Sequence, residues 1–186
     1  ATTLNLDKGY YYNSLKKKVS KFSIQNVIYC GWPTQDNQNI LSDNDTDKLT
    51  NIYLKKPVVD IIEIGKLLMK HGNKNSKLIL IGSTSSKAGR HNYKNPFYSL
   101  GKNILNSLNE ILSLELGKKE MLSVVLEFDI IDGGMNNSLS EMNKDLARDR
   151  VPSGKIPTMK EAVKQIKWIM SNKSTLINGS TIKLSG

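Results

Sequence analysis

An α/β fold, a mostly parallel sheet with helices on both faces, is the architecture this sequence predicts, and two patterns predict it. Short apolar strands alternate with longer amphipathic stretches in the order strand, helix, strand, helix, strand, helix, strand, helix, strand. The clearest strand, Leu78-Ile79-Leu80-Ile81, is apolar without alternation, as a strand covered on both faces must be. A length of 186 residues fits one domain over 1–186, and neither an internal repeat nor a linker divides it.

Leu4 and Leu6 alternate in a short first strand. Leu15 and Val19, four residues apart, then give the stretch to Phe22 one helical face. Asn26 to Cys30 reads as a buried strand delivering its C-terminal end into a loop at Gly31, with a turn containing Pro33. The polar segment Thr34 to Asp45 interrupts the pattern. From Asp47 to about Lys70, Val58, Ile61, Ile62, Leu67 and Leu68 cover a broad helical face, and Pro57, which has no amide donor, kinks or begins the ordered helix. Asn73 to Ser76 reads as a turn before the central strand. Gly82 to Gly89 continues that strand as a loop packed with Ser83, Thr84, Ser85 and Ser86. A second long helix runs from Pro96 or Phe97 to Leu116 with Ile104, Leu108, Ile111 and Leu112 along one face, and Leu122 to Phe128 returns to strand character. Thr158 and Glu161 have capping-box spacing and open a helix with Val163, Ile166 and Met170 inward. The turn Asn178-Gly179 leads to a last strand in which Ile182 and Leu184 alternate with polar residues.

Composition narrows the function classes. No apolar run approaches the roughly 20 residues that cross a bilayer, and Ala1 to Asp7 lacks a secretory pattern, so the expectation is a cytoplasmic protein with no membrane partner. One cysteine, Cys30, and two histidines leave little material for a metal site, and none is expected. The formal charge of +10 attracts anions, but only Arg90, Arg148 and Arg150 offer a forked phosphate grip, so nucleic acid is not the expected partner.

Ligands of open parallel sheets collect at the carboxyl ends of the strands, which brings the loops after Cys30, Ile81 and Phe128 together. Tyr98 and Lys102, four apart at the start of a helix, share a face and can touch one ligand. A nearby cation favours the phenolate, so the pair suits proton transfer by Tyr98. Tyr12 and Lys16 have the same spacing; what distinguishes Tyr98 is the serine cluster upstream, where a hydroxyl can polarise the carbonyl that Tyr98 protonates.

With the stretch Ser83-Thr-Ser-Ser-Lys-Ala-Gly89 followed by Tyr98-Ser-Leu-Gly-Lys102, the chain resembles the short-chain dehydrogenase/reductase family, from about Leu4 to Gly186. The resemblance implies a Rossmann-like three-layer fold. It implies a Ser-Tyr-Lys site in which Tyr98 protonates a substrate carbonyl, Lys102 holds the ribose hydroxyls and lowers the tyrosine pKa, and NAD or NADP supplies the hydride. The family's serine stands about thirteen residues before the tyrosine, which selects Ser85; anchoring on Gly89 selects Ser86, and Ser83 and Thr84 rank below both. Ile28-Tyr29-Cys30-Gly31 occupies the place of the family's Asn-Asn-Ala-Gly loop, with Gly31 retained. Val125 to Met135 resembles the strand and loop that meet the nicotinamide, Ile131 as amide donor and Gly133 at the phosphate position. Phe128-Asp129 stands in place of Pro-Gly. Leu4 to Asp7 resembles the segment flanking adenine, with Asn5 or Asp7 at the acidic position. Tyr53 stands where the family has an asparagine that pins a relay water at a helix irregularity. Both packing and a border with nicotinamide fit Trp32, and His91 reads as a surface or turn residue.

The sequence has no glycine-rich dinucleotide turn, and the pattern enters the family fold at its third strand, so the expectation is one domain truncated on its N-terminal side. Two functions follow from the resemblance. One is an NAD(P)-dependent oxidoreductase interconverting a small-molecule carbonyl and alcohol, active with the missing nucleotide-binding part. The other is a catalytically silent interaction or assembly subunit of the same fold. By the same analogy the chain forms a homodimer or homotetramer through its two long helices.

Overall fold

The computed structural model of the chain describes residues 17, 23–33, 38–87, 95–137, 140–149, 151 and 153–185. Strands β1 (Ile24–Tyr29), β2 (Gly72–Ser83), β3 (Leu122–Phe128) and β4 (Thr181–Leu184) form one sheet in the order β1-β2-β3-β4, with every pairing parallel. These are four of the five strands the sequence predicts. The expected strand at Leu4 to Leu6 and the helix to Phe22 lie outside the described residues.

The sheet is buried on both faces because its residues alternate between two apolar clusters. Leu78, Leu80 and Val125 face one way and pack with Ile61, Ile64, Leu68, Leu105 and Leu116. Ile79, Val124, Leu126 and Phe128 face the other way, against Ala162 and Ile169. All seven residues of β3 are buried, as the central position of a parallel sheet requires.

The helical layers follow from this. On the first face lie α2 (Lys56–His71), reached through α1 (Thr46–Thr50) and a π-helical turn (Asn51–Lys55), and α3 (Pro96–Gly117). On the second lies α5 (Met159–Ser171), opened by the Thr158–Glu161 capping box that its sequence spacing predicts. Between β3 and α5 comes a short α4 (Glu141–Arg148), which no apolar face announces in the sequence, since Ala147 is its one buried residue.

 The charges of α4, at Glu141, Lys144, Asp145 and Arg148, pair along the helix instead of marking an apolar face.

Three details depart from the pattern reading. The turn expected at Asn73 to Ser76 lies inside β2 as an irregularity. Ile24 pairs with Gly72 but Asn26 with Lys77, Asn75 takes φ 66°, and the Asn73 amide donates to Ser76 Oγ at 2.8 Å. On α5 it is Ala162 and Ile169 that are buried, with Ile166 and Met170 beside them, while Val163 faces water. On α3, Ile111 is exposed and Leu105 and Leu116 take the inward positions. Pattern finds the helices, but the final rotation of each is set by the sheet it packs on.

Because all four strands run parallel, the segments leaving β1, β2 and β3 emerge at one edge of the sheet. Gly82 near that edge has no room for a side chain: an added Cβ would stand 2.7 Å from Val125 Cγ1 and 3.1 Å from Glu127 Cγ. Gly82→Ala should therefore destabilise the protein by about 1–3 kcal/mol, the usual effect of overpacking a filled core. A lowered denaturant midpoint with an unchanged slope would be the signature, and an unchanged midpoint would show that β2 and β3 separate more easily than their packing implies.

Candidate active site

Tyr98 and Lys102 sit in the first two turns of α3, which begins with Pro96 at a position that needs no amide donor. Both are buried, at 7% and 5% exposure, at the edge where the strands end. The Lys102 ammonium donates to the carbonyl oxygen of Ile81 at 2.7 Å and stands 4.4 Å from the centroid of the Trp32 ring and 5.6 Å from that of Tyr98. Burial pulls its pKa down to about 7, with Cys30 nearby opposing the shift.

Tyr98 shifts the other way. Burial raises its phenol above the usual value, and a hydrogen bond with the Ser83 side chain offsets part of that rise. The expectation that Lys102 would leave the phenol more acidic is not met here: desolvation is the larger effect, and the ammonium is engaged by Ile81 and Trp32.

The three serines differ in setting. Ser83 is the last residue of β2, its Oγ accepts the Ser85 amide at 3.2 Å, and its side chain hydrogen-bonds the Tyr98 phenol. Ser85 lies half-buried in the 3-10 turn Thr84–Ser86. Ser86 is buried, and its hydroxyl donates to Glu127 Oε1. Counting residues back from Tyr98 puts Ser85 first, Ser86 second and Ser83 below both; Ser83 is the one of the three that the sheet itself places, at the end of β2.

Around these residues, Tyr29 Oη donates to the Gly31 carbonyl at 2.9 Å just beyond β1. Trp32 follows and lies on α3, where Gly101 admits it: a Cβ there would be 2.5 Å from Trp32 Cζ2 and 2.5 Å from the Tyr53 carbonyl oxygen. That carbonyl belongs to the π-helical turn. Pro57, four residues on, has no amide to offer it, so the helix irregularity expected at Tyr53 has a cause in the chain itself. The indole N–H of Trp32 is buried with no acceptor among the described residues. A shallow pocket beside Tyr98 is lined by Gln38, Leu49, Tyr53, Asn95, Pro96 and Phe97.

Ile131 and Gly133 lie on the segment leaving β3 at the same edge. Ile131 accepts from Asn136 Nδ2 at 2.9 Å and Gly133 takes φ 127°, while Asp129 accepts the Ile130 amide at 2.9 Å. Asn136 thus braces the loop. Asn5, Asp7 and His91 lie outside the described residues. No cluster of metal-binding side chains occurs among the described residues, and no described helix is long and apolar enough to cross a membrane.

No protein-family model matches the sequence. The 3-oxoacyl-(acyl-carrier-protein) reductase of Buchnera aphidicola subsp. Baizongia pistaciae is 29% identical over 164 residues, which is 88% of this chain; the chain spans 61% of that relative's length. Among solved structures, a short-chain dehydrogenase/reductase described as a glucose/ribitol dehydrogenase from Brucella melitensis superposes with a TM-score of 0.78 at 18% identity, covering 93% of this chain and 70% of that one. A short-chain dehydrogenase family protein from Francisella tularensis gives 0.81 at 15% identity, with 98% and 78% covered. The fold is that of the short-chain dehydrogenases/reductases.

The low pKa of Lys102 links stability to pH with a definite sign. Its folded value, about 7, lies below the ordinary 10.5, so between these limits the unfolded chain holds the proton that the folded chain releases. Stability from this group therefore rises with pH across that window, by at most about 1.4 kcal/mol per pH unit. Lys102→Met should be most stabilised relative to the parent near pH 7, and the difference should shrink toward pH 10. Denaturant midpoints taken at several pH values will show this, and parallel curves would mean that Lys102 is solvated after all.

Proposed function

We propose that the protein is an NAD(P)-dependent oxidoreductase that interconverts a small-molecule carbonyl and its alcohol, with Tyr98 as proton donor and acceptor, Lys102 as ribose ligand and Ser83 as the hydroxyl that orients the substrate oxygen. The observation that supports it best is the joint burial of Tyr98 and Lys102 at the strand-end edge, with a serine hydroxyl on the phenol.

The donor set suits the nicotinamide-ribose end of a dinucleotide. Lys102 offers an ammonium, Trp32 a buried N–H without an acceptor among the described residues, and Gly31 leaves its side of the edge clear of a side chain. When bound, the cofactor supplies or accepts the hydride at the carbonyl carbon. The rest falls to the chain. Tyr98, kept protonated by burial, gives its proton to the oxygen as the carbonyl is reduced, and takes it back when an alcohol is oxidised. Ser83 Oγ accepts the Ser85 amide and keeps its own hydrogen to donate. Lys102 in its protonated form places positive charge beside the phenolate that results.

Ser85, and Ser86 after it, stay in the proposal as alternatives to Ser83. The Buchnera relative is a 3-oxoacyl-(acyl-carrier-protein) reductase and the Brucella structure a glucose/ribitol dehydrogenase by description, so 3-oxoacyl thioesters and polyol or sugar substrates head the panel to be tried. A homodimer or homotetramer is part of the same proposal. A second reading, a catalytically silent assembly subunit, draws support from Trp32, whose ring lies over the very ammonium that a ribose would need.

NAD(P)H oxidation by the full-length protein across that panel separates the two. In the enzyme reading, Tyr98→Phe lowers kcat by about 100- to 10,000-fold, the scale of a lost general acid. Ser83→Ala lowers it by about 100-fold or more, the scale of a lost oxyanion donor, and Ser85→Ala by much less. Activity that survives Tyr98→Phe sinks the mechanism. A larger loss in Ser85→Ala than in Ser83→Ala restores the spacing-based assignment.

A further inference from the structure

We infer that Glu127 is a positioning residue, whose carboxylate ties the turn after Ser83 to α3 and thereby holds the Ser83 hydroxyl on Tyr98. The inference rests on the pairing of Ser83 with Tyr98 proposed above.

Glu127 is the penultimate residue of β3 and is wholly buried. A carboxylate in the middle of a parallel sheet is unfavourable unless its oxygens are satisfied, so the identity of its partners says what it is for. Its register partner on β2 is Gly82, which contributes no side chain and leaves room for it. Ser86 Oγ donates to Oε1, Asn106 Nδ2 donates to the same oxygen at 2.9 Å, and the Lys87 ammonium stands 3.2 Å from Oε2. Two of these three partners are consecutive residues of the turn that leaves β2.

The grip is doubled from α3. Asn106 Nδ2 also lies 3.3 Å from Ser86 Oγ, Asn103 Nδ2 donates to the Ser86 carbonyl at 2.8 Å, and Thr181 Oγ1 on β4 donates to Asn106 Oδ1 at 3.2 Å. Between this anchor and Ser83 lies only the turn Thr84–Ser86, closed by the Lys87 amide donating to the Thr84 carbonyl at 3.2 Å. The Ser85 amide of that turn donates to Ser83 Oγ, which directs the serine's hydrogen toward Tyr98. Releasing Ser86 and Lys87 therefore frees the amide that orients Ser83. A serine at a strand end has several rotamers, and this network selects the one that meets the phenol.

The test reads Tyr98 directly and needs no turnover. In the full-length protein with ring-labelled tyrosine, the titration of Tyr98, identified by its loss in Tyr98→Phe, is followed by NMR in the parent, Ser83→Ala, Glu127→Ala, Glu127→Gln and the Ser83→Ala/Glu127→Ala double variant. Lys102 and Tyr53, the other titratable groups packed near Tyr98, are the same throughout. Losing one donor should raise the Tyr98 midpoint by about 0.5–1 unit in both single alanine variants, with no further rise in the double variant. Glu127→Gln keeps an acceptor for Ser86 and Asn106 and should titrate like the parent.

An unchanged midpoint in Glu127→Ala, or shifts that add in the double variant, overturns the inference. Should Glu127→Ala fail to fold, Ser86→Ala takes its place in the cycle, with the same expected and overturning results. Where turnover is measurable, Glu127→Ala should lower kcat while leaving the cofactor KM unchanged. A protein that transfers no hydride at all would defeat the proposed reaction yet leave the Tyr98 titration to decide the role of Glu127.

Discussion

A lysine ammonium held almost out of water is the constraint around which this end of the molecule is arranged. Such a group needs acceptors and polarisable neighbours at short range, or it loses its proton. Lys102 finds a carbonyl at the end of β2, the face of Trp32 beyond β1, and the ring of Tyr98 on its own helix. Each contact comes from a different element, so the lysine fixes how α3 sits on the strand ends. Its pKa near 7 shows that these contacts only partly replace water.

The close seating of α3 has its own requirements, and they fall on residues far apart in the chain. Pro57 removes from the helix the amide that an α-helical ladder would bring to the Tyr53 carbonyl, and the chain takes a π-helical turn there. Gly101 then lets α3 approach that carbonyl and the Trp32 ring together, at distances no Cβ would tolerate. Leu49, Tyr53, Phe97 and Tyr98 close the gap as a small apolar cluster of their own, separate from the two on the sheet faces. Tyr98 is thus desolvated by the same packing that positions it.

Much of this was legible in the sequence, and the limits have physical causes. Strands buried on both faces leave apolar runs, so β2 and β3 could be found from the local sequence, and the i, i+4 spacing placed Tyr98 and Lys102 on one face. Pro57 announced a helix that it kinks or begins, and the chain takes the first course, helical before and after it. The place of each serine was harder: sequence distance across a loop does not measure distance in space, whereas the position of Ser83 at a strand end does. Glu127 left no signal of its own, since a single acidic residue in an apolar run reads as an interruption until its partners from α3 and the serine turn are seen around it.

The two titratable groups at the centre are pushed in opposite directions by one cause. Desolvation penalises whichever form is charged, so it raises the phenol of Tyr98 and lowers the ammonium of Lys102. Near neutral pH the phenol is therefore protonated while the lysine titrates close to the ambient value, the kind of separation that assigns acid and base roles to neighbouring groups. A protonated Tyr98 is loaded for donation to a carbonyl oxygen, which is the reducing direction. Oxidation would begin instead from the phenolate, and for that state to be reached at neutral pH the positive charge on Lys102 has to be kept while the phenol loses its proton. Trp32 favours that charge through its ring, and Ser83 favours the phenolate through its hydroxyl, so these two contacts act on the balance between the directions while the burial they share with Tyr98 and Lys102 sets its starting point.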